Sequence, residues 1–76
     1  MEVSAIRETM HAQPFQPFRL RLADGRMMIV RHPDFIAVAP EGRRVVVFTE
    51  PDGAMVILEP LLIVSIDLPA PTPAAQ

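Results

Sequence analysis

Arg19, Arg21 and Arg26 are the residues of this 76-residue chain whose type and spacing best suit a chemical task. Arg19 and Arg21 alternate with Leu20 and Leu22 and run into Asp24-Gly25. A tight hairpin there would set all three guanidinium groups on one side, where they could meet phosphate oxygens. Arg43 and Arg44 could widen such a patch. Two features weigh against it: there is no Trp or Tyr to stack on bases, and nine acidic residues against seven basic leave a net charge of -2. A chain so balanced has no global field to gather nucleic acid or an anionic membrane. All seven basic residues are Arg, which also serves ion pairing and subunit contact.

Other chemistry finds less support. His11, His32 and Asp34 include the right atoms for a metal, but the two histidines fall on different elements at no recognised ligand spacing. Absence of Cys removes disulfides and thiolate sites and makes a reducing cytoplasm the easiest home. Nucleophilic or acid–base catalysis needs paired groups in a dry cleft. Ser4 reads as a helix cap and Ser65 as a strand residue, Thr9 and Thr49 have equally structural explanations, and the carboxylates gather at turns and strand ends. We therefore expect a non-catalytic protein with no cofactor, no metal and no small-molecule ligand.

The elements that would hold these residues follow from periodicity. Val3, Ile6 and Met10 form one stripe of a short helix over residues 4–12, capped by Ser4 and ended by Pro14. Two turns do not persist alone, so the stripe must lie on something apolar. Next comes QPFQPF, which has the PxxP spacing of an SH3 or WW ligand. Its flanking elements favour another role: Pro14 and Pro17 hold the chain extended while Phe15 and Phe18 turn inward.

Each of the three glycines follows an acidic residue, at Asp24-Gly25, Glu41-Gly42 and Asp52-Gly53, which signals hairpins between strand-like runs. A two-residue loop at Asp24-Gly25 would place Leu22 opposite Met27 and Leu20 opposite Ile29 on the core side, and Arg19 opposite Val30 and Arg21 opposite Met28 on the other. Residues 35–39 and 44–49 read as strands. A four-residue loop from Glu50 to Gly53 would pair Arg44 with Glu59, Val46 with Ile57 and Phe48 with Met55, and residues 61–68 supply the final strand. The runs VVVF, AMVIL and LLIV are apolar on both faces and should be covered on both, by the interior and by a helix or a neighbouring subunit.

Residues 1–68 thus read as one domain and 69–76, PAPTPAAQ, as a disordered Pro/Ala-rich tail. A chain this short buries only about 60% of its unfolded surface. With no disulfide or metal and 50% hydrophobic residues, self-association becomes the leading source of stability. No segment has signal-peptide or membrane-spanning character, so a soluble, cytoplasmic homo-oligomer or partner of another protein is expected, with no membrane contact.

Three resemblances accompany this reading. His32-Pro33-Asp34 is similar to the HPD of J-domain cochaperones, but MMIVR and FIAVA around it are strand-like, so we read a bend joining two strands, its corner fixed by Pro33 and Asp34 bonding its own backbone. The helix-then-strands order, with LRLADGRMMIV as a first hairpin and ILEPLLIVSIDL as a last one, resembles the Sm-like fold of bacterial RNA chaperones and related SH3-like barrels. That likeness implies a mainly β domain with one N-terminal helix, closed as a small antiparallel five-stranded barrel, and ring assembly through strand edges. It also departs from the Sm pattern: the second strand lacks the bending glycine and LEPLLI lacks the Lys-His pair of the RNA-contacting turn. Residues 13–35 are similar to a group of small bacterial proteins of unassigned activity with the pattern PFxPFxLxLxDGRxxxVxHPxF.

Overall fold

The structure is a computed structural model that describes residues 1–69. The tail expected at 69–76 lies outside the described residues beyond Pro69. Helix α1 (Val3–Met10) is followed by strands β1 (Phe18–Leu22), β2 (Met27–Val30), β3 (Ile36–Val38), β4 (Val45–Phe48), β5 (Met55–Leu58) and β6 (Ile63–Asp67), with 3-10 turns at Pro33–Phe35 and Pro60–Leu62. The strands form two antiparallel three-stranded sheets, ordered β2-β1-β6 and β3-β4-β5.

Among the described residues the domain is mainly β with one short N-terminal helix, as expected, but it has six strands instead of five and neither sheet closes into a barrel. The physical cause lies at two prolines. Pro33 starts a 3-10 turn between β2 and β3, and Pro60 starts another between β5 and β6. Each proline withholds a ladder N–H and redirects the chain, so the strands on either side belong to different sheets.

One core joins the two sheets and the helix. Ile6 and Met10 of α1 meet Phe18, Leu20 and Leu22 of β1, Met28 and Val30 of β2, Ile36 of β3, Val45 and Val47 of β4, Leu58 of β5 and Ile63 of β6. Strict alternation along β1 produces this, since its apolar residues are buried while Arg19 and Arg21 are exposed. Phe18 is 2% exposed and fills the core, whereas Phe15 is half-buried against it, with ring centres 5.9 Å apart.

The helix begins one residue earlier than predicted, and Ser4 does not cap it. Glu2 occupies the cap position without a side-chain bond, and the Ser4 hydroxyl lies 3.5 Å from the Glu2 carboxylate. Arg7 fastens the helix instead, donating to the carbonyls of Ala39 and Pro40 at 2.9 and 3.2 Å.

The first hairpin differs from its expected register by one residue. Leu22 N–H donates to Arg26 C=O, so the loop is Ala23-Asp24-Gly25, with Gly25 at φ +94°. A three-residue loop ending in a left-handed glycine is the next commonest solution after the two-residue one. Leu20 therefore faces Met28 and Phe18 faces Val30 on the core side, while Arg19 faces Ile29 and Arg21 faces Met27 outside. The β4–β5 register agrees with expectation, with Val46 opposite Ile57 and Phe48 opposite Met55.

Candidate interaction surface

The solvent face of the β2-β1-β6 sheet carries the arginines. Arg19 and Arg21 lie side by side on β1, and β6 brings Asp67 opposite Arg19 and Ser65 opposite Arg21. Arg21 donates to Asp67 Oδ2 at 3.1 Å, and the Ser65 hydroxyl donates to Oδ1 at 3.0 Å. The Ser65 hydrogen bond, and after it Arg21, hold the Asp67 carboxyl below the ordinary aspartate value. Arg19 sets its Nη1 3.8 Å from the Met27 sulfur and has no carboxylate at ion-pair distance among the described residues.

Arg26 is separated from this pair. It sits opposite Leu22, at a position of the core-facing parity, and turns back to Asp24, whose Oδ2 is 2.8 Å from Nε. The Asp24 carboxyl is lowered chiefly by the Arg26 backbone N–H at 3.0 Å, with the guanidinium adding to it. Of the three arginines singled out from sequence, two thus share a face, and two are matched by a carboxylate. Asp67 as the partner of Arg21 was not legible from the chain. The two are 46 residues apart, and only the β1–β6 pairing joins them.

The solvent face of the β3-β4-β5 sheet has a different composition. Ala37, Val46, Phe48, Met55 and Ile57 occupy it through the register of the three strands, with no charged or polar side chain among them. Met55 and Ile57 are 59% and 57% exposed, and Phe48 is 36% exposed. The helix, one of the two covers expected for these strands, packs into the core and leaves this face open. Leu61 and Leu62, in the turn after β5, are exposed as well.

His32 caps the bend after β2. Its Nδ1 accepts from the Asp34 N–H at 3.1 Å, so the backbone bond foreseen for the Asp34 side chain is made by the histidine ring. Among the described residues no group of three or more His, Asp or Glu is placed to hold a metal. A depression along Glu8, Gln13, Pro14 and Leu68 is wide-mouthed, and among the described residues no buried side-chain polar atom lacks a partner. No described helix is long and apolar enough to cross a membrane. Comparison of the chain with family models, with curated proteins and with solved structures returns no match.

Proposed function

We propose that this chain is a small non-catalytic interaction module that associates with itself or with another protein through the β3-β4-β5 sheet. The single observation that supports this most is the uninterrupted apolar outer face formed by Val46, Phe48, Met55 and Ile57. Burying such a face gains on the order of 25 cal/mol per Å². For a domain with so small a core, that is a large share of its stability.

The second reading is an Sm-like nucleic-acid binder acting through Arg19, Arg21 and Arg26. Arg19 favours it, as an exposed cation without a matched carboxylate. Against it stand the ion pairs of Arg21 and Arg26. Two double variants separate the readings. Phe48→Gln with Met55→Gln is expected to abolish association in light scattering, while Arg19→Glu with Arg21→Glu leaves it intact and changes no RNA retention on a filter. Loss of RNA retention in the arginine variant with association unchanged in both would favour the nucleic-acid reading instead.

A further inference from the structure

We propose that two copies of this chain pair through β5 across a two-fold axis, antiparallel and centred on Val56, so that their β3-β4-β5 sheets join into one six-stranded sheet. The inference rests on the self-association reading above and names its first contact: edge pairing sets the apolar outer faces of two copies side by side, with Met55 and Ile57 packing against each other across the seam.

The backbone identifies which groups are free. Thr49 N–H donates to Ala54 C=O at 2.8 Å, and Ala39 N–H donates to Arg44 C=O at 2.9 Å. Backbone groups point to alternate sides along an antiparallel strand. With the observed register, Val45 and Val47 therefore bond towards β5 and Val46 towards β3. In β5, Val56 and Leu58 bond towards β4. Met55 and Ile57 aim their N–H and C=O groups out of the open edge.

The other three edges are each guarded. Beside β3, helix α1 packs against the strand, and Arg7 ties it to the Ala39 and Pro40 carbonyls just beyond. On β6, the register shifts between Arg21 and Leu22, so that Val64 bulges out of line. On β2, Arg26 and Arg31 flank the strand, and Arg31 pairs with Glu50 of the β4–β5 turn at 3.2 Å. Charges, bulges and covers of these kinds are how edge strands avoid pairing. Among the described residues, β5 has none of them from Ala54 to Leu58.

One unguarded edge per copy selects the geometry. Between copies of this chain the matching free edge is another β5, so the contact uses one patch twice and closes at two copies. Centring on Val56 puts Met55 of each copy opposite Ile57 of the other. This forms four N–H···O bonds, sets Met55 beside Ile57 on the outer face and keeps Asp52 and Glu59 outside the paired stretch. Strands of four residues bury less than the roughly 800 Å² per partner of a standard interface, about 15% of this chain's 5302 Å². Pairing is therefore reversible and depends on concentration.

Hydrogen exchange measured by NMR on the full chain, at a dilute and a concentrated condition, tests this together with mass from light scattering. At high concentration the mass should approach twice the 8.4 kDa of one chain. The Met55 and Ile57 amides should then exchange on the order of tenfold more slowly, with Val56 and Leu58 protected in both conditions. Ile57→Pro removes only an outward N–H, which an edge strand tolerates, and should stay at the single-chain mass. A doubled mass with unchanged exchange at Met55 and Ile57, or an Ile57→Pro variant that still associates, overturns β5 pairing and leaves self-association standing. A single-chain mass at every concentration overturns both. Should Ile57→Pro fail to fold, the exchange pattern of the unaltered chain decides.

Discussion

The two sheets bury equivalent inner faces and present opposite outer ones. Outside β2-β1-β6, Arg19 and Arg21 stand with Ser65 and Asp67, and an ion pair and a hydroxyl bond tie Arg21, Ser65 and Asp67 together beside exposed Met27 and Ile29 of β2. Outside β3-β4-β5, the positions equivalent to those arginines hold Val46 and Phe48, flanked by Met55 and Ile57. The alternation that makes β1 a surface strand is absent from β4 and β5, where both parities are apolar. In the reading proposed above, a sheet of the first kind mixes paired charges with apolar residues, whereas one of the second kind needs a partner to cover it.

The largest effect should come from the shared interior. Phe18→Ala is expected to cost about 3–5 kcal/mol in urea unfolding, because the ring is buried within the core cluster. Half-buried Phe15 should lose less on the same change. If both lose under about 1 kcal/mol, the inward role of this segment is wrong. Next is the outer apolar face: Phe48→Gln with Met55→Gln should change unfolding of the dilute chain by no more than about 1 kcal/mol. A much larger loss would mean that these side chains belong to the core.

A smaller effect is expected at the first hairpin. Gly25→Ala meets no atom within 4 Å but must hold φ +94°, so backbone strain of about 1–3 kcal/mol is the only cost, read as a lower melting temperature. The smallest concerns the charged face alone. Asp67 and Asp24 have carboxyls lowered in the folded chain, so their contribution is present above the unfolded value near 4 and is lost as pH falls through the lower folded value. Asp67→Asn should flatten that acid-side loss, whereas Phe48→Gln with Met55→Gln should leave its pH dependence unchanged.

Local grammar was legible where it acts over a few residues. The stripe of Val3, Ile6 and Met10 marked the helix, and the length of the Glu50–Gly53 loop set the β4–β5 register. The first hairpin slipped because Asp-Gly serves both two- and three-residue loops, and one residue of difference exchanges Met27 and Ile29 for Met28 and Val30 in the core. Whether the sheets close depends on how Pro33 and Pro60 redirect the chain between strands, which no local pattern encodes. For the arginines, the alternation in FRLRL placed Arg19 and Arg21 together on the outer face. The carboxylate that answers Arg21 comes from a strand 46 residues away and has no sequence signal.

Sedimentation equilibrium of the unaltered chain across a concentration series, read by interference optics with absorbance at 260 nm, tests the central claim most directly. The chain has no Trp or Tyr and four weakly absorbing Phe, so absorbance at that wavelength well above the Phe background reports bound nucleic acid. Association through the β3-β4-β5 sheet predicts a mass that rises above 8.4 kDa with concentration and carries no such absorbance. A constant single-chain mass up to about millimolar concentration, the regime of the weakest specific contacts, would contradict it.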